Sequence, residues 1–102
     1  MAKLTAAEIE DQLKALPGWE YKDDSIRKLF RFKTFMDGIR FIDQIAEIAE
    51  TADHHPDINL NYTRITFICT THVAHAVTEK DFKLAGEIET LAAQSPGIRT
   101  SN

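Results

Sequence analysis

The chain has 102 residues, of which 43% are apolar or aromatic and 27% charged, a composition that supports one hydrophobic core and excludes an intrinsically disordered chain. Sixteen acidic against twelve basic side chains leave a formal charge of -4, which offers nucleic acid and anionic membranes no general attraction. The single cysteine, Cys69, the absence of an apolar run near the ~20 residues that span a bilayer, and an opening Met1-Ala2-Lys3-Leu4-Thr5 without a signal-peptide core predict a soluble cytoplasmic protein.

In chain order, the first helix is predicted over 5–16. Thr5 is followed three residues later by Glu8, a capping pair in which the hydroxyl takes a first-turn amide and the acid suits the positive end of the helix. Pro17-Gly18 ends it. Two strands over 19–22 and 26–32, rich in aromatic and branched residues, flank the turn-forming Asp23-Asp24-Ser25. The second and longest helix is predicted over 34–53. It starts at Thr34 with Asp37, and Phe35, Ile39, Ile42, Ile45, Ala46 and Ala49 form its apolar stripe, with Phe41 and Ile48 as a further line. A stripe that wide can touch both a sheet and a second subunit.

A second hairpin follows, in which Ile58, Leu60 and Tyr62 alternate with polar residues, as do Ile65, Phe67 and Cys69. Placing the turn at Thr63-Arg64 sets Tyr62 opposite Ile65, Leu60 opposite Phe67 and Ile58 opposite Cys69. The third helix is predicted over 78–94, capped by Thr78 and Asp81, with Phe82, Ala85, Ile88 and Ala92 facing inward. Residues 96–102 are expected to be a loose tail. The order α-β-β-α-β-β-α predicts one α+β domain over 1–102, a four-stranded antiparallel sheet with three helices packed on one face.

Extended outward, the same register pairs Asp57 with Thr70 and His55 with His72, so that two imidazoles become neighbours with His54 as a third. Pro56 disfavours helical geometry at His55, so the second helix must end near His54. Histidine exchanges protons near neutral pH, and three together suit a reaction that moves two protons. Glu50, Asp53, Asp57 and Asp81 stand around them. Each residue also has a plainer role: a histidine pair at a helix end, Asp81 as a capping acid, Trp19 as a buried aromatic. His75 completes an HxxH pair with His72, which together with His54 and His55 is a weak metal signal, because no cysteine joins the set. No phosphate loop, serine elbow or CxxC is present.

The run Glu50-Thr-Ala-Asp-His54-His55-Pro56, followed by Tyr62, His72 and Asp81, resembles the signature of the pterin-4a-carbinolamine dehydratases, and the likeness extends from Leu16-Pro17-Gly18-Trp19 to the last helix. The resemblance implies a three-helix, four-strand fold and the dehydration of 4a-hydroxytetrahydropterin to quinonoid dihydropterin, as in tetrahydrobiopterin recycling. It further implies His54, His55 and His72 as catalytic residues and Glu50, Pro56, Asp81 and Trp19 at or near the pterin, with no cofactor and no metal; Asp57 joins the candidate substrate-binding residues, and Asp57 or Asp81 is expected to hold one imidazole in its tautomer. Loss of water from a carbinolamine needs one proton delivered to the departing hydroxyl and one removed from the adjacent ring nitrogen; the sequence does not assign either role to a particular histidine. Members of the family form homodimers or homotetramers, and animal members also serve as dimerisation cofactors of a homeodomain transcription factor. An oligomeric protein-binding module of the same fold is therefore the alternative function. Val73-Ala74-His75 after His72, and Ile58 where an aromatic is frequent, depart from the family pattern and leave the pterin side chain open.

Overall fold

The computed structural model describes residues 2–99, Arg99 by its backbone alone. Helix α1 spans Ala6–Leu13, strand β1 Glu20–Lys22, β2 Ser25–Phe32, helix α2 Phe35–Ala52, β3 Asp57–Asn61, β4 Arg64–Cys69, helix α3 Glu79–Gln94, and a short β5 Ile98–Arg99. The strands lie in the order β1-β2-β4-β3, every pairing antiparallel, with β5 beside the far end of β2. This is the predicted α+β architecture with helices against one face of the sheet.

All three predicted threonine caps form. Thr5 and Thr78 each exchange hydrogen bonds with the acid three residues on, whereas Thr34 accepts from the amide of Asp37 without the reciprocal bond. Helix α1 ends at Leu13, and tighter turns carry the chain on to Leu16. The first hairpin closes through Asp23 and Asp24, both at positive φ, the backbone that a two-residue hairpin loop requires.

The core is centred on Phe41 of α2, only 1% exposed, whose ring lies 5.2 Å from Phe32, 5.8 Å from Phe30 and 5.7 Å from Phe67. Burying one such ring stabilises the fold by roughly 2–3 kcal/mol. The sequence placed Phe41 beside the main line of α2; in the structure it lies on that line, with Gly38, Ile45 and Ala49, while Phe35 and Met36 stay exposed. From α3, the predicted Phe82, Ala85, Ile88 and Ala92 are buried, together with Leu84.

Two expectations are corrected. The β3–β4 turn is Tyr62-Thr63, so Leu60 faces Ile65, Ile58 faces Phe67 and Asp57 faces Ile68. The predicted pairing is displaced by two residues, a slip that keeps every apolar side chain on the same face and is therefore invisible to alternation alone. The Phe32 amide bonds the Thr63 carbonyl at 2.9 Å, which holds Thr63 to the sheet and leaves Tyr62 to make the bend at φ 56, with 73% of its surface exposed. Part of the expected tail is also ordered. Gly97, at φ 83, turns the chain where a Cβ would collide with the Asp37 carboxylate, and its carbonyl accepts from the Lys33 amide, so that Ile98 and Arg99 pair with Phe32 and Arg31. The predicted tail beyond Arg99 lies outside the described residues.

Candidate active site

The site begins at the C-terminus of α2. Asp53 adopts the left-handed conformation at φ 52, its amide bonds the Glu50 carbonyl at 3.2 Å, and the next amide, that of His54, bonds the Ala49 carbonyl at 3.1 Å. This pair of bonds folds the chain back over the helix end. Pro56 then commits the backbone to the extended form of β3. His54 therefore turns inward and His55 outward.

The His54 side chain is 12% exposed, and its Nε2 lies 2.6 Å from Oδ1 of Asp81, a fully buried carboxylate in the first turn of α3. The other oxygen of Asp81 accepts from the Thr78 amide at 2.9 Å and from the Thr71 hydroxyl at 2.8 Å. Thr71 has a single proton and gives it to Asp81, so the Thr78 hydroxyl, 2.8 Å away, donates to Thr71. With the carboxylate accepting on every side, His54 donates from Nε2, and Nδ1 has no partner among the described residues. The capping acid of α3 is thus also the residue that orients the ring of His54.

His55 occupies a contrasting setting. Its ring is 54% exposed, and Nε2 meets the carboxylate of Glu50, itself 76% exposed, at 2.5 Å. His72 opens a short 3-10 turn, His72–Ala74, that is tied back by a bridge between Thr71 and Ala76. The predicted ladder pair of His55 with His72 does not exist, because the β3–β4 ladder stops at the pair of Asp57 with Ile68, in a different register. The segment of His72 is instead joined to His54 through Thr71 and Asp81. His75 ends the turn in a left-handed conformation at φ 50. Among the described residues no three His, Cys, Asp or Glu side chains are grouped as metal ligands.

Of the other predicted site residues, Pro56 is half-buried and Asp57 exposed at the start of β3. Trp19 lies apart from the histidines in its contacts: it is buried, packs edge-on against Phe30 at 6.3 Å, and donates from Nε1 to Glu89 at 2.8 Å. Its indole N–H is thus occupied within the fold. Burial, reinforced by the charges of Asp81 and Asp57, pushes the Cys69 thiol up, so it stays protonated and unreactive at neutral pH.

Sequence reasoning missed Thr71 and Thr78 as site residues. One signal was available for the first: Ile65, Phe67 and Cys69 mark the inward parity of β4, and Thr71 continues it as a hydroxyl, 3% exposed. A polar residue on an apolar line needs a buried partner.

A single antiparallel sheet, covered on one face by three helices and carrying a histidine fixed by a buried aspartate at the helix ends, defines the class as an α+β domain. The family model described as Pterin 4 alpha carbinolamine dehydratase matches residues 2–91, and the chain belongs to this family. A Picosynechococcus protein provisionally named pterin-4-alpha-carbinolamine dehydratase is 45% identical over 89 residues, 87% of this chain and 97% of the relative. A Thermomicrobium roseum protein with the same provisional name is 41% identical over 93 residues, 91% of this chain and all of the relative. The crystal structure of a protein described as a transcriptional coactivator/pterin dehydratase from Brucella melitensis superimposes with a TM-score of 0.85 at 36% identity, covering 88% of this chain and 98% of that one. A pterin dehydratase-like protein described as a RuBisCO assembly factor in the alpha-carboxysome shares the fold, with a TM-score of 0.59 at 22% identity, over 72% of this chain and 84% of its own.

Proposed function

We propose that this protein is a hydro-lyase that removes water from 4a-hydroxytetrahydropterin to give quinonoid dihydropterin, by histidine acid–base catalysis, in tetrahydrobiopterin recycling. The observation that carries this reading is the buried Asp81 holding His54 by Nε2. That bond fixes the tautomer and leaves Nδ1 as an acceptor, the form a general base needs to take the proton from the ring nitrogen. His55 and His72, both exposed, are then the candidates to protonate the departing 4a-hydroxyl. Glu50 orients His55, and Pro56 and Asp57, which follow it into β3, are the adjoining candidates for contact with the substrate.

The chemistry is two proton transfers and a C–O cleavage, with no change of oxidation state. A cytoplasmic setting belongs to the same reading, supported by a lone, buried, free Cys69. So does a homodimer or homotetramer, supported by Phe35 and Met36, which are 43% and 51% exposed on the outer side of α2.

The test is the rate of 4a-hydroxytetrahydropterin dehydration with purified protein against the uncatalysed rate, followed as the absorbance of the quinonoid product. A saturable acceleration that falls by ~10² or more in His54→Ala supports the proposal. An uncatalysed rate in the presence of folded protein sinks it. Sedimentation in the same buffer reads the subunit number.

A further inference from the structure

The helices cover one face of the sheet; the other face is open, and its charge is opposite to that of the chain. Along β2, Ile26, Phe30 and Phe32 are buried toward the helices, so the alternate residues Arg27, Leu29 and Arg31 point outward. Arg64 and Thr66 of β4 and Asn59 and Asn61 of β3 share that face. Two clefts run across it. One, of about 360 Å³, is bordered by Gly18, Glu20, Arg27, Leu29, Arg31 and Thr66. The second, of about 230 Å³, is bordered by Leu29, Asn59, Asn61, Arg64 and Thr66, and the two meet at Leu29 and Thr66.

Three features of this surface lack an internal explanation. Arg31 and Arg64 are directly opposed in the β2–β4 register, a like-charge pairing that costs stability unless an anion lies between the two side chains. Among the described residues no carboxylate is within ion-pairing distance of Arg27, Arg31 or Arg64. Arg27 bonds the Ser25 hydroxyl and, at 3.5 Å, the Lys22 carbonyl through one terminal nitrogen, yet its Nε is buried without a partner among the described residues. The acids on the face, Glu20 opposite Arg27 and Asp57 at the start of β3, are outnumbered by Lys22, Arg27, Arg31 and Arg64.

The spacing limits the occupant. Arg27 and Arg31 are four residues apart on a strand, about 13 Å, with the exposed Leu29 midway. A single phosphate or carboxylate cannot reach both guanidinium groups. An extended chain presents alternate side chains on one side at the same repeat, so an acid, an apolar residue and an acid at every second position match Arg27, Leu29 and Arg31 in turn. Arg64 lies beside the Arg31 end, and Asn59, Asn61 and Thr66 offer hydrogen bonds along the second cleft. We propose that the open face of the sheet docks an acidic, extended polypeptide segment of a partner protein, with carboxylates four residues apart flanking an apolar side chain.

A fluorescein-labelled synthetic peptide with a Glu-Thr-Leu-Thr-Glu centre, titrated with the full-length protein and read by fluorescence anisotropy, tests this. Saturable binding is expected, weakening severalfold on raising the salt from about 50 to 200 mM, as ionic contacts do. The double variant Arg31→Glu, Arg64→Glu should weaken it at least ~10-fold, about the effect of losing two charge-assisted contacts, while pterin dehydration and the thermal midpoint hold. If that variant does not fold, Leu29→Asp, which sets a carboxylate at the midpoint of the row, is expected to produce the same loss. The proposal is overturned by an absence of saturation at millimolar protein, by equal binding of a peptide with both Glu replaced by Gln, or by unchanged affinity in a folded variant. Tighter binding of a duplex oligonucleotide than of the peptide also overturns it, because the face would then be a general polyanion surface.

Discussion

His54 and His55 are consecutive in sequence and each meets a carboxylate, but their surroundings are opposite. The His54 ring is nearly enclosed and its aspartate fully buried, with every oxygen of the carboxylate engaged. Both members of the His55 and Glu50 pair are more than half exposed. A buried hydrogen-bonded pair loses heavily when one partner is removed, since the other is left unsatisfied away from water; an exposed pair exchanges its partner for solvent. The difference arises at Asp53, whose left-handed turn sends one histidine into the fold and the next out of it.

The comparison can be broken most severely at His54 itself. His54→Ala is expected to lower kcat/KM for pterin dehydration by ~10²- to 10⁴-fold while the protein stays folded, checked by stopped-flow absorbance. Asp81→Ala should follow, removing the acceptor of three donors at once. A destabilisation of about 3 kcal/mol in urea unfolding and a ~10²-fold slower turnover are expected, because the His54 ring loses its orientation.

Thr71→Val sharpens the contrast by deleting one hydroxyl from the buried network and keeping its shape. It should cost roughly 1–2 kcal/mol, with a kcat loss near tenfold, read from the same two measurements. At the exposed pair, Glu50→Gln is expected to leave unfolding stability within about 0.5 kcal/mol of the parent. A loss as large as that of Thr71→Val would erase the distinction drawn between the two histidines.

The elements were legible because the signals that define them are local. Thr5, Thr34 and Thr78 with their acids mark three helix starts, and Asp23-Asp24 marks the first hairpin, since a short polar side chain tolerates positive φ. The second hairpin had no such marker. Tyr62 adopts positive φ without being a residue that favours it, and alternation accepts any register displaced by an even number of residues. The register was decided by a contact no local pattern contains, the Phe32 amide on the Thr63 carbonyl.

The site divides in the same way. His54, His55, Glu50 and Asp81 could be picked out from residue type and spacing, but which carboxylate meets which ring could not. Asp57 or Asp81 was expected to hold one ring in its tautomer, but nothing in the capping role of Asp81 indicated that its second oxygen would meet His54 at the end of another helix. The partner of Trp19 was hidden for the same reason: Glu89 lies on α3, far along the chain.

Strand β2 gives the molecule one further property. It joins β4 on one side and both β1 and β5 on the other, and its pairing with β4 unites Ile26 with Cys69 and Arg31 with Arg64 across the whole of α2. Partners so far apart in sequence close a long loop, which makes the β2–β4 junction a non-local contact of the kind that slows folding. The amides of Phe30 and Phe67, at the centre of that junction, will then exchange with solvent only when the entire molecule opens.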